Sequence, residues 1–401
     1  MQEQEHKSYI NALGTAVPGN AIPQQKIAEF MAEALDMDVA DRRKLNVIYR
    51  QTQIGQRHSV LPDYGLPMGE YTFYPNTPGL EPFPSVSDRN AVYRKETPKL
   101  ALAAARKAFA DYPDFDPQSV THVIVVSCTG FYAPGPDIEL VEALGLPTTT
   151  HRLLINFMGC YGAFNGLKTA DAIVRANPEA KVLLVCSELC TIHFQKKPEL
   201  DYLLSNALFA DGAAAVLVEG QPRADKSLRM RTFFCDLLAE GRDEMAWHVS
   251  DFGFEMTLTP EVPGVIERNI GRLLSRLLEK SELTIGDIHY YALHPGGRRI
   301  LEAIENQLGL DRYDNRYAYH VLKQYGNMSS ATVLFVLHEI WQELGIKKEA
   351  ASRSNDTASP ENILSCAFGP GLTLESLILE AHVNEPLLTS SVRSSETVPT
   401  L

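Results

Sequence analysis

The 401-residue chain carries 37 lysines and arginines against 50 aspartates and glutamates, for a net charge of −13, and 45% of its residues are apolar. That length can bury a large core or two fused half-cores, and the acidic balance, with no basic run or aromatic ladder, excludes a general nucleic-acid binder. No apolar window reaches membrane-spanning length, and the polar residues 1–7 include no stretch of signal-peptide length, so a cytoplasmic location is expected.

In chain order, residues 9–18 predict a strand entering a loop, and 24–34 a helix with Ile27, Phe30 and Met31 on one side. Residues 67–92, rich in Pro, Gly, Tyr and Phe without periodicity, predict a long ordered cover rather than a linker. Thr97 and Pro98 are expected to open the next helix, as cap and first residue. Strands follow at 123–126, 153–157, 181–186 and 213–218, with a short helix from Asp137 and a periodic helix over 162–176. The pattern relaxes at 220–240, which sets a boundary between an N-terminal half, 1–235, and a C-terminal half, 236–386. The second half predicts a helix near 264–280, a strand at 288–293, helices after Gly297 and Met328, and a strand at 372–379. Strand–turn–helix units in both halves argue for a layered α/β architecture. The Ser-, Thr- and Pro-rich residues 387–401 read as a mobile tail.

The six cysteines, 128, 160, 186, 190, 235 and 366, mostly interrupt apolar strand-like segments, which fits reduced buried thiols. Cys186 and Cys190 stand apart from other ligands and make no zinc site, so neither metal nor bound cofactor is expected.

Three segments carry chemistry. Cys160, in Gly-Cys-Tyr-Gly, sits at a strand-to-helix junction, where unpaired amides and aligned peptide dipoles favour thiolate. A structural cysteine at a strand end is the plain alternative. His294, in His-Pro-Gly-Gly, could lower the Cys160 pKa as an imidazolium or donate to an oxyanion; it could also be a loop or core histidine. Asn327, before an apolar helix, is either its N-cap or, with His294, a second donor to a thioester enolate. Phe368, Gly369, Pro370 and Gly371 fit a tight turn whose amides could hold an oxyanion, or a purely structural one.

Together with Phe209 in Ala-Leu-Phe-Ala-Asp-Gly-Ala and Ser329 in Tyr-Gly-Asn-Met-Ser-Ser, these motifs resemble the chalcone and stilbene synthases, the type III polyketide synthases of the thiolase-like superfamily. The resemblance covers roughly residues 8–380. It implies a five-layer αβαβα fold of two similar halves, a homodimer, and coenzyme A thioesters as substrates. Cys160 would take an acyl starter, from acyl-CoA or an acyl carrier protein. His294 and Asn327 would hold malonyl-CoA and stabilise its decarboxylated enolate. Phe209 would be the gatekeeper, its plain alternative being a core aromatic.

Departures from the plant members fall around the expected substrate cavity. Cys128 and Thr129 replace small hydroxyl residues, and Cys190, Ile192 and His193 occupy the starter-pocket segment. Trp247 stands for a glycine, Met256 for a phenylalanine and Ala133 for a methionine, while Ala367 replaces the first glycine of the Phe-Gly-Pro-Gly turn. Basic residues for the coenzyme phosphates thin to Arg50 and Arg57. This redistribution implies a medium- or long-chain fatty acyl starter and alkylpyrone or alkylresorcinol products. The alternatives are malonyl-only synthesis of a small phenolic such as phloroglucinol or tetrahydroxynaphthalene, and a single-step ketoacyl carrier-protein synthase III. A thiolase would use Cys366 as a second cysteine. A silent scaffold would lack part of the trio.

Overall fold

The computed structural model describes residues 6–351 and 360–383, so the expected tail at 387–401 lies outside the described residues. Strand β1 (Tyr9–Ala16) leads to a small hairpin of β2 (Asn20–Pro23) with β3 (Gln56–Ser59), which brackets helices α1 (Gln24–Ala34) and α2 (Val39–Gln51). The Asp38 carboxylate caps α2 by accepting from the Ala40 and Asp41 amides. The aromatic-rich cover is ordered as expected up to residue 85: Tyr71, Tyr74 and Leu80 are buried, and Phe30 meets Tyr64 and Tyr71 with ring centroids 4.8 and 5.4 Å apart. Asp63 organises this cover by accepting from the Thr72, Phe73 and Tyr74 amides.

Helix α3 (Val86–Asp111) starts earlier than Thr97. Ser85 and Asp88 form a reciprocal capping box, and Pro98 lies inside the helix, where it removes one backbone bond. Tertiary packing overrides that loss. Ala101, Ala104, Ala105 and Ala108 are fully buried against β1, so closely that a side chain on Gly14 would strike the α3 backbone. The sequence hid the first turns because the inward residues there are Arg89 and Tyr93, both buried rather than aliphatic.

The next elements are β4 (His122–Ser127), α4 (Pro136–Leu144), β5 (His151–Asn156), α5 (Gly162–Ala176), β6 (Lys181–Leu189), α6 (Leu200–Leu208) and β7 (Asp211–Glu219). Then come β8 (Lys226–Leu237), a separate hairpin of β9 (Met245–Ser250) with β10 (Gly253–Leu258), α7 (Val262–Lys280), β11 (Ile288–Leu293), α8 (Arg298–Leu308), α9 (Arg316–Tyr325) and α10 (Thr332–Ala351). Strands β12 (Glu361–Gly369) and β13 (Thr373–Val383) complete the chain. Two expectations are corrected. The relaxed stretch 220–240 contains strand β8, so the second half begins at β8 rather than at 236. Cys366, Ala367 and Phe368 belong to β12, a strand the sequence reading placed only beyond the turn.

The nine long strands run β11-β12-β13-β8-β1-β7-β6-β4-β5. From β1 outward the pairings to β7, β6 and β4 are antiparallel, antiparallel and parallel. From β8 outward to β13, β12 and β11 they repeat that series. The chain is therefore two similar α/β halves, whose sheets join where Tyr9 and Ile10 of β1 pair with Arg229 and Leu228 of β8.

Strand alternation builds the layers. Val123, Val125, Leu183 and Val185 face α3, while Ile124, Val126, Leu184 and Cys186 face the other core, which contains α5 and α10. Helices α5 and α10 touch strands of both halves, and α7 with α8 covers the second sheet, giving the five-layer thiolase-like order. Among the described residues no helix is long and apolar enough to cross a membrane.

Candidate active site

Cys160 lies in a single 3-10 turn, Gly159–Tyr161, directly before α5. Phe157 at φ 62° and Gly159 at φ 79° bend the chain sharply there. Only glycine fits position 159, because a Cβ would run into Pro370 of the Phe-Gly-Pro-Gly turn. Gly369 is equally constrained: its Cβ would stand 3.4 Å from the Cys160 amide nitrogen and closer to the Tyr161 ring. The nucleophile turn of one half thus packs on a glycine-rich turn of the other.

His294 follows β11, tethered by its amide donating to the Cys366 carbonyl at 2.9 Å. Asn327 and Phe209 share a parallel bridge: the Asn327 amide donates to Leu208 O at 2.9 Å, and the Ala210 amide to Asn327 O at 2.8 Å. The Asn327 side chain accepts at Oδ1 from the Ser329 amide at 2.9 Å, a local turn bond; the cap position of the turn that follows is Met328, so Asn327 is not the N-cap the sequence offered. Its Nδ2 makes a 3.3 Å bond to Gly296 O. One narrow cavity, about 20 Å³, is lined by Cys160, His294, Asn327, Phe209, Met245, Met256, Leu258, Phe368 and their neighbours.

Burial weighs against charge on His294 and on Cys160 when each is taken alone. Burial pushes the His294 imidazole down to about 3, and neither ring nitrogen has a partner among the described residues. Burial likewise pushes the Cys160 thiol up to about 12, with the Ser329 and Asn327 side chains pulling the other way. Each group alone rests neutral. Moving the thiol proton onto His294 creates two charges that compensate each other, with the α5 terminus favouring the anion. His294 is the one imidazole among the described residues lining this cavity. Accordingly, His294→Gln should slow iodoacetamide alkylation of Cys160 at pH 7 about tenfold or more and move its pH profile upward, one pH unit being a factor of ten in thiolate. An unchanged profile would remove His294 from thiol activation.

A second apolar cavity meets the first at Phe209 and Met256, which line both. It runs past Cys190, His193, Trp247, Phe254, Phe194, Ile27 and Met31. Trp247 and Met256 are cross-strand partners on the β9–β10 hairpin, which explains why two distant sequence positions act on one space. His193 stacks on Phe254 at 4.2 Å, donates from Nε2 to Thr129 O at 2.7 Å and accepts at Nδ1 from the Phe254 amide at 3.0 Å. Burial holds it near 3, so it is a neutral wall.

Three other sequence-derived positions line neither cavity, and a fourth, Arg57, lines the second with its charge turned into the fold. Cys128 accepts the Gly159 amide at 2.9 Å and Thr129 donates to Glu188 at 2.9 Å; neither side chain lines the two cavities, and Cys128 braces the Cys160 turn from behind. Ile192 faces the outer core beneath α3, because side chains of a 3-10 turn fan out around its axis. Arg57 is only 3% exposed, donating from Nε to Gln24 at 2.8 Å and from Nη1 to the Phe209 carbonyl at 2.6 Å. It holds the Phe209 segment rather than presenting its charge to coenzyme phosphates. Arg50, by contrast, is exposed at a surface concavity with Gln51, Gln53 and Arg298. Cys366 is a buried core thiol that does not line the catalytic cavity, which removes the thiolase arrangement.

Sequence reasoning missed Glu188. Fully buried in β6, it accepts from the Cys128 amide and the Thr129 hydroxyl, both at 2.9 Å, and from the Ser330 hydroxyl of the other half. The signal was a carboxylate inside an apolar strand. Also missed was the apolar mouth, about 140 Å³, formed by Leu204, Leu208, Leu258, Pro260 and Val262 with Arg298 and Arg299 at its rim.

Comparisons with known proteins agree with this geometry. Residues 1–222 match the N-terminal domain, and 230–383 the C-terminal domain, of chalcone and stilbene synthases. A Dictyostelium discoideum protein named "Probable polyketide synthase 1" is 29% identical over 94% of this chain, which spans only 12% of that much longer relative. The Mycobacterium tuberculosis "Alpha-pyrone synthesis polyketide synthase-like Pks18" is 28% identical over 92% of this chain and 90% of its own length. Among solved structures, PKS-I from the brown alga Ectocarpus siliculosus superposes with a TM-score of 0.85 at 28% identity, covering 95% of this chain and 100% of that one. The type III polyketide synthase domain of Steely1, a type I/III hybrid from Dictyostelium, gives 0.81 at 29% identity, covering 93% and 99%. With both halves matched and a cysteine, histidine and asparagine meeting in one buried cavity, the chain belongs to the chalcone and stilbene synthase family and is a type III polyketide synthase, an acyltransferase of iterative malonyl condensation.

Proposed function

We propose that Cys160 accepts a medium- or long-chain fatty acyl starter, which repeated malonyl-CoA condensations extend to an alkylpyrone or alkylresorcinol. The observation carrying this reading is the apolar second cavity that meets the catalytic one at Phe209 and Met256. Flexible Met31 and Met256 side chains let that cavity admit an unbranched chain. The pyrone in the mycobacterial relative's name supports the same product class.

Cys160 Sγ attacks the starter thioester carbonyl and coenzyme A leaves as a thiol. Malonyl-CoA then loses carbon dioxide, and the electron pair of the broken C–C bond becomes a thioester enolate. Hydrogen bonds from His294 and Asn327 stabilise its oxygen, a neutral imidazole serving as donor. The enolate carbon attacks the acyl–Cys160 carbonyl and expels the thiolate; the lengthened chain, now a coenzyme A thioester, passes back to Cys160 Sγ with release of coenzyme A as its thiol for the next round. Arg50 is the coenzyme-facing cation in this scheme, and Ser329 lies beside the thiol.

A second reading, a malonyl-only small phenolic, is favoured by the narrowness of the second cavity, about 40 Å³. We further propose a homodimer through the sheet edge: among the described residues β5 is unpaired on its outer side, with Leu153 43% exposed and Phe131 50% exposed. Incubating the protein with malonyl-CoA alone and with an acyl-CoA length series, then weighing the products, tests the starter. Products retaining the acyl chain plus several two-carbon units are expected. An aromatic product from malonyl-CoA alone would transfer the assignment to the second reading.

A further inference from the structure

The chain is strongly acidic, yet the apolar mouth, which shares Leu258, Gly296 and Ile300 with the Cys160 cavity, adjoins basic ground. Three adjoining surface concavities share residues: the mouth and the second both include Gln51 and Arg298, and the second and third both include Gln53. Their rims hold Arg50, Arg298, Arg299, Arg312, Arg316 and Lys323, and no aspartate or glutamate lines any of them. Arg298 pairs with Glu302 at 3.0 Å and Arg316 with Glu343 at 3.1 Å. Arg50, Arg299, Arg312 and Lys323 are exposed and form no salt bridge among the described residues; Arg312 donates to Gln53 at 2.6 Å and stacks on Tyr319 at 4.0 Å.

Two apolar side chains stand within this field. Val47, at the second concavity, is 42% exposed, and Tyr313, over which Arg316 stacks at 4.3 Å, is 70% exposed. Basic residues around exposed aromatic and aliphatic anchors make a protein-docking composition. The extent also exceeds what a nucleotide needs. A coenzyme's phosphates can be met by Arg50, Arg298 and Arg299 at the mouth, whereas the third concavity adds about 470 Å³ bordered by Arg312, Arg316 and Lys323.

We propose that this arc docks an acidic acyl carrier protein, which hands its phosphopantetheine-borne acyl group through the mouth to Cys160. The inference rests on the acyl-starter reading above and names the donor. The net charge of −13 disfavours an acidic partner overall, so the local attraction at the arc favours one docking orientation. The transfer is a thioester exchange: the Cys160–acyl bond forms, the pantetheine C–S bond breaks, and the carrier leaves with a free thiol.

The test compares a lauroyl-loaded acyl carrier protein with lauroyl-CoA as donors to Cys160, read by intact-protein mass. It uses the full-length enzyme and its Arg312→Glu/Lys323→Glu variant. Loading from the carrier protein should fall at least tenfold in the variant and weaken with added salt, while loading from lauroyl-CoA stays within twofold. Equal losses with both donors would make the arc a coenzyme site, and unchanged carrier-protein loading would overturn the docking surface. If lauroyl-CoA loads the wild-type enzyme but the carrier protein does not, the docking proposal falls and the starter reading stands. If neither donor loads it, the starter reading itself fails.

Discussion

Cys160→Ala is expected to abolish acyl loading from coenzyme A thioesters while malonyl decarboxylation survives within about tenfold. The two steps use different groups. Loading needs a sulfur nucleophile at the α5 terminus, whereas decarboxylation needs only donors to the enolate oxygen, which His294 and Asn327 retain. The exchange removes one buried sulfur from a turn fixed by backbone geometry at Gly159 and Pro370, so the fold should persist. Loading of the alanine variant at the wild-type level, measured as the mass gained by the protein, would reject Cys160 as the nucleophile.

Asn327 yields the second large effect, and its two roles can be separated. Its Oδ1 holds the Ser329 amide at 2.9 Å, a structural bond, while Nδ2 is bonded only weakly, at 3.3 Å to Gly296 O. Asn327→Asp preserves the acceptor and deletes the donor; Asn327→Ala deletes both. Both variants should lose malonyl decarboxylation by about 10²–10³-fold, the usual effect of removing one oxyanion donor. Only the alanine variant should also lose stability, by about 1–3 kcal/mol for a buried amide left unpaired. Carbon dioxide release by the aspartate variant at the wild-type rate would show that Asn327 serves the fold alone.

The sequence was legible where one physical pattern dominated. Helices 24–34 and 162–176 present aliphatic side chains at helical spacing, and strand 288–293 is a short apolar run, so their limits were read closely. Helix α3 was only half legible because its first turns bury Arg89 and Tyr93, which composition treats as surface residues. Strand β8 interleaves Arg229 and Arg231 with apolar residues and therefore resembled a linker.

That Cys160, His294 and Asn327 belong together was visible because each sits in unusual Gly-rich backbone, and one cavity brings them together. Side-chain direction was not visible. Ile192 and His193 are neighbours, yet one faces the outer core and the other the cavity. Arg57 has a basic side chain that the fold turns inward, toward the Phe209 carbonyl. Glu188 draws donors from Cys128 and Thr129 after the neighbouring strand β4 and from Ser330 of the other half, positions far apart in the chain.

The most direct test of the central claim is a chase on the acylated enzyme. The protein is loaded with a fatty acyl-CoA, freed of excess donor, and the acyl group located by peptide mass before malonyl-CoA is added. The account predicts an adduct on Cys160 that disappears as a product carrying the same acyl chain plus several two-carbon units is released. An adduct on another residue, or one that persists while products form from malonyl-CoA alone, would contradict it.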